Sequence, residues 1–97
     1  MLPVVYTPSA EKYFRKLKDN NLKEEFKEAI LKIRKNPHIG TAKGGDLKGI
    51  TCLDIYYRRT YYELAYHIAS LENGSMIVII MAGTRKNFYK ELKKYMK

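Results

Sequence analysis

Leu53-Asp54-Ile55-Tyr56-Tyr57-Arg58-Arg59-Thr60-Tyr61-Tyr62-Glu63-Leu64-Ala65-Tyr66 is the stretch on which the fold turns. Leu53, Ile55 and Tyr57 share one parity, and Cys52, Asp54 and Tyr56 the other. Beyond Arg58-Arg59 the alternation resumes, with Tyr62, Leu64, Tyr66 and Ile68 set against Tyr61, Glu63, Ala65 and His67. Strict alternation marks two half-buried strands, and cross-strand partners must lie on one face. A two-residue turn at Arg58-Arg59 meets that demand by placing Tyr56 opposite Tyr61 and Asp54 opposite Glu63. The face away from the core then carries two carboxylates and two phenols, with two arginines at the tip.

Outward from this hairpin, Glu72-Asn73-Gly74 signals a second turn, and Ile77-Val78-Ile79-Ile80-Met81-Ala82 reads as a buried strand. Upstream, Val4-Val5-Tyr6 reads as a short first strand. Thr7-Pro8 opens a helix, with Thr as N-cap and Pro where its missing N–H costs nothing. Ala10, Tyr13, Phe14 and Leu17 form that helix's apolar stripe, and Asp19-Asn20-Asn21 breaks it. A second helix, opened by Asn21 with Glu24 in capping-box spacing, buries Leu22, Phe26, Ala29, Ile30 and Ile33 until Asn36-Pro37 stops it. Residues 38 to 46 hold three of the six glycines and read as a mobile basic loop. The expected order is β-α-α-β-β-β-α: an α+β domain spanning residues 1–97, with a helical hairpin packed on a small, mostly antiparallel, four-stranded sheet.

Composition narrows the function. At 97 residues with 45% apolar content there is material for one core and no second. A lone Cys52 makes neither an internal disulfide nor a metal site, so a reducing cytoplasm is expected. Met1 to Val5 lacks the basic start and apolar run of a secretion signal, and the longest apolar run is too short to span a bilayer. The net charge of +9 and pI near 9.7 point to an acidic partner or nucleic acid. From Arg85 onward six Lys/Arg face a single acid. If Arg85 to Lys97 is helical, Arg85, Tyr89 and Lys93 share one face, while Phe88, Leu92 and Met96 dock the other.

The chain resembles the RelE/ParE superfamily of bacterial toxins from toxin–antitoxin operons. The matching residues are Thr7-Pro8-Ser9-Ala10-Glu11, the helical hairpin ending at Asn36-Pro37, Leu47-Lys48-Gly49, Tyr62-Glu63-Leu64-Ala65-Tyr66, and Gly83-Thr84-Arg85-Lys86 followed by Phe88-Tyr89. The resemblance implies a RelE-like fold, a cognate antitoxin held in a hetero-oligomer, and metal-independent, cofactor-free cleavage of mRNA on the ribosome. It also leaves open the ParE alternative, poisoning of DNA gyrase, and a non-toxic basic RNA-binding module on the same scaffold. Arg85 matches the family's arginine after the last strand, and Tyr89 stands near its C-terminal tyrosine. Glu63 stands where an arginine is common, and Asp54 where cutting members can carry lysine.

Cleavage by the RNA 2′-hydroxyl needs a base, cations for the phosphorane charge and an acid for the leaving oxygen. The candidates are Arg85 for charge, and Tyr89, Glu63 and Asp54 for proton transfer. Lys48, Arg58, Arg59, Lys86 and Lys93 are candidates for RNA contact. As a catalyst Tyr89 would need cations such as Arg85 and Lys93 to draw its pKa down from about 10. Apposed Asp54 and Glu63 become tolerable if Arg85 lies between them, or if one keeps its proton.

Overall fold

The computed structural model describes residues 1–97. The elements are β1 (Val4–Tyr6), α1 (Pro8–Lys16), α2 (Asn20–Lys35), β2 (Thr41–Ala42), β3 (Thr51–Tyr57), β4 (Thr60–Leu71), β5 (Gly74–Thr84) and α3 (Phe88–Tyr95). One sheet runs β1-β5-β4-β3-β2, with β1 parallel to β5 and all other pairs antiparallel. The sheet therefore has five strands, not four. The added strand, β2, lies within the segment read as a mobile loop, where Thr41 and Ala42 pair with Cys52 and Thr51.

Local chemistry places the helices. Thr7 Oγ1 accepts from the Ala10 amide at 3.2 Å and donates to the Ile80 carbonyl at 2.6 Å, so one side chain caps α1 and ties it to β5. The start of α2 is capped by Asp19 rather than Asn21. The Asp19 carboxylate accepts from the amides of Asn21 and Leu22 at 3.0 and 3.1 Å, and these bonds, led by Leu22, hold its pKa below the usual carboxylate value. The Tyr57 hydroxyl donates to the same carboxylate, anchoring the β3–β4 hairpin to the helix start. Asn36 ends α2 before Pro37.

The hairpin register is the one its alternation requires: Asp54 faces Glu63, Ile55 faces Tyr62 and Tyr56 faces Tyr61. Its turn is Arg58-Arg59, both with positive φ (49° and 63°), which matches the right-handed twist of the flanking strands. Between β4 and β5 the pairing slips at Ala65/Tyr66, where Ala65 faces Met81 and Tyr66 faces Ile79, leaving Ile80 as an extra residue.

The sheet is covered on both faces. Under α1 and α2 lies a cluster of twelve buried residues centred on Phe26, Ile33, Leu64, Tyr66, Ile77 and Ile79, with Tyr13, Phe14 and Tyr62 packed edge-to-face around Phe26. On the opposite face seven more residues, including Ile50, Cys52, Ala65, Ile80, Phe88 and Leu92, form a second cluster beneath α3. The expectation of a single core is thus corrected: α3 and the segment around Leu47 close over half of the outer face. Phe88 and Leu92 dock α3 as expected, but Met96 is exposed.

Candidate functional site

Arg85 lies outside α3. Its amide donates to the Tyr61 carbonyl at 2.9 Å, extending the β4–β5 ladder by one residue, and Asn87 in a left-handed conformation (φ 65°) then starts the helix. A common helical face for Arg85, Tyr89 and Lys93 therefore does not exist. Tyr89 comes from the first turn of α3, and the two side chains meet over β4 instead.

What they meet is Glu63. This carboxylate is 3% exposed, the one charged residue in the buried set. Arg85 Nε donates to Glu63 Oε2 at 2.7 Å, and the Tyr89 hydroxyl donates to Glu63 Oε1 at 3.1 Å. Arg85 Nη2 reaches Asp54 Oδ2 at 2.9 Å. The guanidinium thus bridges the two apposed carboxylates, the arrangement that makes their cross-strand pairing tolerable. It also stacks on Tyr61, 4.2 Å from the ring centroid. The Glu63 bond, foremost, raises the Arg85 pKa further.

Burial, followed by the nearby Cys52 and Glu63, pushes the Tyr89 pKa up rather than down. Two facts of the structure explain the direction. Arg85 spends its charge on the carboxylates, and Lys93 is exposed on α3 and does not line the cleft. At neutral pH Tyr89 holds its proton and is a donor, not a phenolate base.

The cleft over this cluster has a volume of about 370 Å³, with Cys52 and Leu53 in its floor and Ile39, Gly40, Thr41 and Lys43 along one wall. That wall is the segment expected to be mobile. The hydroxyl of buried Tyr66 donates to the Pro37 carbonyl at 2.6 Å and accepts from the Gly40 amide at 3.3 Å. A Cβ at Gly40 would stand 2.7 Å from the Cys52 carbonyl oxygen and 2.9 Å from the Tyr66 hydroxyl, so only glycine lets the segment lie this close to β3. Lys43 follows, its ammonium 5.0 Å from the Tyr89 ring centroid and without a carboxylate partner. Sequence reading passed over Lys43 because nothing local distinguishes it. What aims it is a long-range bond, from the Gly40 amide to the Tyr66 hydroxyl, that no local pattern announces.

The five residues assigned to RNA contact scatter. Arg58 and Arg59 stand at the hairpin tip, Arg58 lying over the Tyr57 ring. Lys48 is exposed beyond the one-turn helix Gly45–Leu47, outside the cleft lining. Lys86 lines a different groove, with Lys12 and Lys16 of α1. His67 is exposed, with Nδ1 2.8 Å from the Gly49 carbonyl; that oxygen only accepts, so Nδ1 carries the proton.

Chemically the cleft offers a fixed carboxylate, a protonated phenol, a bridging guanidinium and a free ammonium around one open space. No group of three or more His, Cys, Asp or Glu side chains is arranged to hold a metal ion, and no helix is long and apolar enough to cross a membrane.

The same backbone occurs in known toxins. The chain covers 98% of itself and 93% of a double mutant of Escherichia coli RelE in the free state, at a TM-score of 0.72 and 18% identity. It matches a YoeB/ParE toxin from Agrobacterium tumefaciens at TM-score 0.71 and 16% identity, covering 87% of this chain and 99% of that one. A chain of the RelBE2 toxin–antitoxin complex of Mycobacterium tuberculosis matches at 0.65 and 24%, over 87% and 98%. No curated protein matches at the level of sequence. The family model for the ParE-like toxin of type II bacterial toxin–antitoxin systems matches residues 4–93. That span takes in both helices of the hairpin, the strands that hold the Glu63 cluster, and nearly all of α3. The chain belongs to the ParE-like toxins of type II bacterial toxin–antitoxin systems.

Proposed function

We propose that this toxin arrests growth in the cytoplasm by cutting mRNA on the ribosome, with the cleft over Glu63 as the cutting site. One observation carries the reading: Arg85 and Tyr89 converge on a single buried carboxylate, at 2.7 and 3.1 Å, inside an open cleft. Those three groups supply the parts that 2′-hydroxyl attack requires. The 2′-oxygen bonds to phosphorus and its proton passes to Glu63. The bond from phosphorus to the 5′-oxygen breaks, and that oxygen takes the Tyr89 proton, which Glu63 replaces. The products are a 2′,3′-cyclic phosphate and a 5′-hydroxyl, with no net proton gained or lost. Arg85 must exchange a carboxylate for the phosphate as charge builds there, and Lys43 adds positive field. The chain's net +9 suits binding among rRNA phosphates.

A second reading has its own support. In the cleft Lys43 and Arg85 are matched in number by Asp54 and Glu63, so there is no net positive charge where a phosphate would sit. On that reading the cluster only braces α3, and the target is DNA gyrase. Induction of the gene followed by mapping of mRNA 5′ ends separates the two. Cuts in register with codons support cleavage. An SOS response over intact mRNA supports gyrase poisoning, and unaffected growth leaves a non-toxic RNA-binding module. For cleavage, Arg85→Ala and Tyr89→Phe should each lower the cutting rate about 100-fold or more. Full toxicity in both folded variants would overturn the site.

The partner follows from the helical hairpin. A groove of about 440 Å³ lined by Tyr6, Phe14, Phe26 and Ile30 carries three cations, Arg15, Lys23 and Lys27, against one acid, Glu11. It suits an acidic amphipathic segment of a cognate antitoxin that orders as it binds. The solved relatives include antitoxin complexes from two bacteria. Failure of the toxin and the neighbouring gene's product to co-elute at moderate salt would count against it.

A further inference from the structure

Two tyrosines on the outer face keep much of their surface open to solvent. Tyr56 and Tyr61 are cross-strand partners, 58% and 45% exposed, with ring centroids 4.7 Å apart and planes tilted by 45°. Their neighbours Tyr57 and Tyr62 point the other way and pack on the main core. The exposed pair runs without a break into the cleft, because the Arg85 guanidinium lies over Tyr61. It sits two residues from the Asp54/Glu63 pair, about 7 Å at about 3.4 Å per residue. An extended nucleotide covers that distance.

The turn that joins the pair's strands is built against local preference. Arg58 and Arg59 both occupy the left-handed region, which costs a side-chain-bearing residue about 1–2 kcal/mol and which Asn-Gly would fill at little cost. Neither arginine has a salt-bridge partner. Arg58 leans over Tyr57, but the tip still sets exposed positive charge beside two half-open rings, which suits a ligand that uses both charge and π-faces. A duplex hides its base faces, whereas single-stranded RNA offers them together with phosphates.

We propose that Tyr56 and Tyr61, with the Arg58-Arg59 turn that joins their strands, form a stacking subsite for unpaired RNA bases flanking the phosphate held in the Glu63 cleft. The inference rests on the RNA-cutting reading and adds where the substrate strand lies. It assigns Arg58 and Arg59 to strand placement, and it explains how a cleft without net positive charge can hold an anion. The neighbouring rings and turn supply the affinity.

The test is fluorescence anisotropy with the whole chain and a short single-stranded RNA, 2′-O-methylated so that it cannot be cut. The Y56A/Y61A double variant should bind about 10- to 100-fold more weakly, and Y56F/Y61F within about twofold of the parent. Both double variants should remain folded, with melting temperature falling only slightly in Y56A/Y61A, which loses the cross-strand ring pair. A duplex of the same sequence should show no dependence on the tyrosines. The proposal is overturned if the parent fails to bind the strand, or if the alanine variant binds it equally well. It is also overturned if the alanine variant loses only its capture by the neighbouring gene's product, which would make the patch a protein-docking surface. The two levels part cleanly. Tyrosine-dependent binding without mRNA cuts in cells removes the cutting reading alone. Cuts with tyrosine-independent binding remove the subsite alone.

Discussion

Leu64 and Glu63 are neighbours on β4 and both are buried, yet they face opposite sides of the sheet and are held there by different forces. Leu64 has no exposure and sits among the apolar side chains beneath α1 and α2. Its stabilisation is proportional to area removed from water and has no direction. Glu63 is held by two directed hydrogen bonds, one of them charged, from residues far along the chain. The helical face therefore tolerates changes of shape at fixed volume, while the outer face tolerates almost none at fixed chemistry. On β4 Leu64 thus serves folding and Glu63 what the molecule is proposed to do, while the outer face keeps an apolar cluster of its own beneath α3.

The contrast can be broken most forcefully at Leu64. Leu64→Ala should destabilise the chain by about 2–5 kcal/mol in chemical denaturation, and Leu64→Met by less than about 1.5 kcal/mol. Toxicity of Leu64→Ala should fall only as far as folded protein falls. Glu63→Gln sharpens the contrast. It keeps the volume and removes the charge, so stability should drop by about 1–3 kcal/mol while cutting is lost well beyond that. Equal losses of folding and toxicity would reduce Glu63 to a brace. Asp54→Asn should cost about 0–1 kcal/mol in the same assay, because the Asp54–Arg85 pair is half exposed to water. A larger loss would show that the bridge over the carboxylates acts as one unit.

The smallest effect at neutral pH appears only in alkali. Tyr13, on the helical face, is pushed up to about 12 by burial, with Tyr62 contributing. The folded state holds this proton more tightly than the unfolded chain, whose tyrosines titrate near 10. The contribution is therefore complete below about pH 10 and is lost as pH rises toward about 12. Tyr13→Phe should flatten that limb of the stability profile. A limb unchanged in this variant would place the alkaline loss with the other tyrosines that burial pushes up, Tyr57, Tyr66 and Tyr89.

The legible parts of the fold were those fixed by near neighbours. Parity across a two-residue turn sets the β3–β4 register whatever surrounds it, and Thr7-Pro8 or Asn36-Pro37 sets a helix end within one turn. The apposition of Asp54 and Glu63 was legible too, and of its two remedies, a bridging cation or a retained proton, the structure shows Arg85 as the bridge. What could not be read were the long-range choices. The Tyr61 carbonyl holds Arg85 in the ladder, Tyr66 straps Gly40 to the sheet and so aims Lys43, and the outer-face cluster forms only once α3 has docked. The direction of the Tyr89 shift belongs with these, since it depends on which charges Arg85 has already satisfied.

The extra residue at Ile80 has a consequence for how such a gene can change. Upstream of it the odd-numbered residues Ile77 and Ile79 face the helices; downstream, Ala82 does. The slip by one thus hands the odd positions, Arg85 among them, to the outer face, where the carboxylates wait. Loss of the single codon for Ile80 would remove the bulge yet leave the arginine on its present face, since Tyr66 already pairs with Ile79 and Ala65 with Met81. A lineage can therefore wander widely at individual positions of β5 and still keep its site.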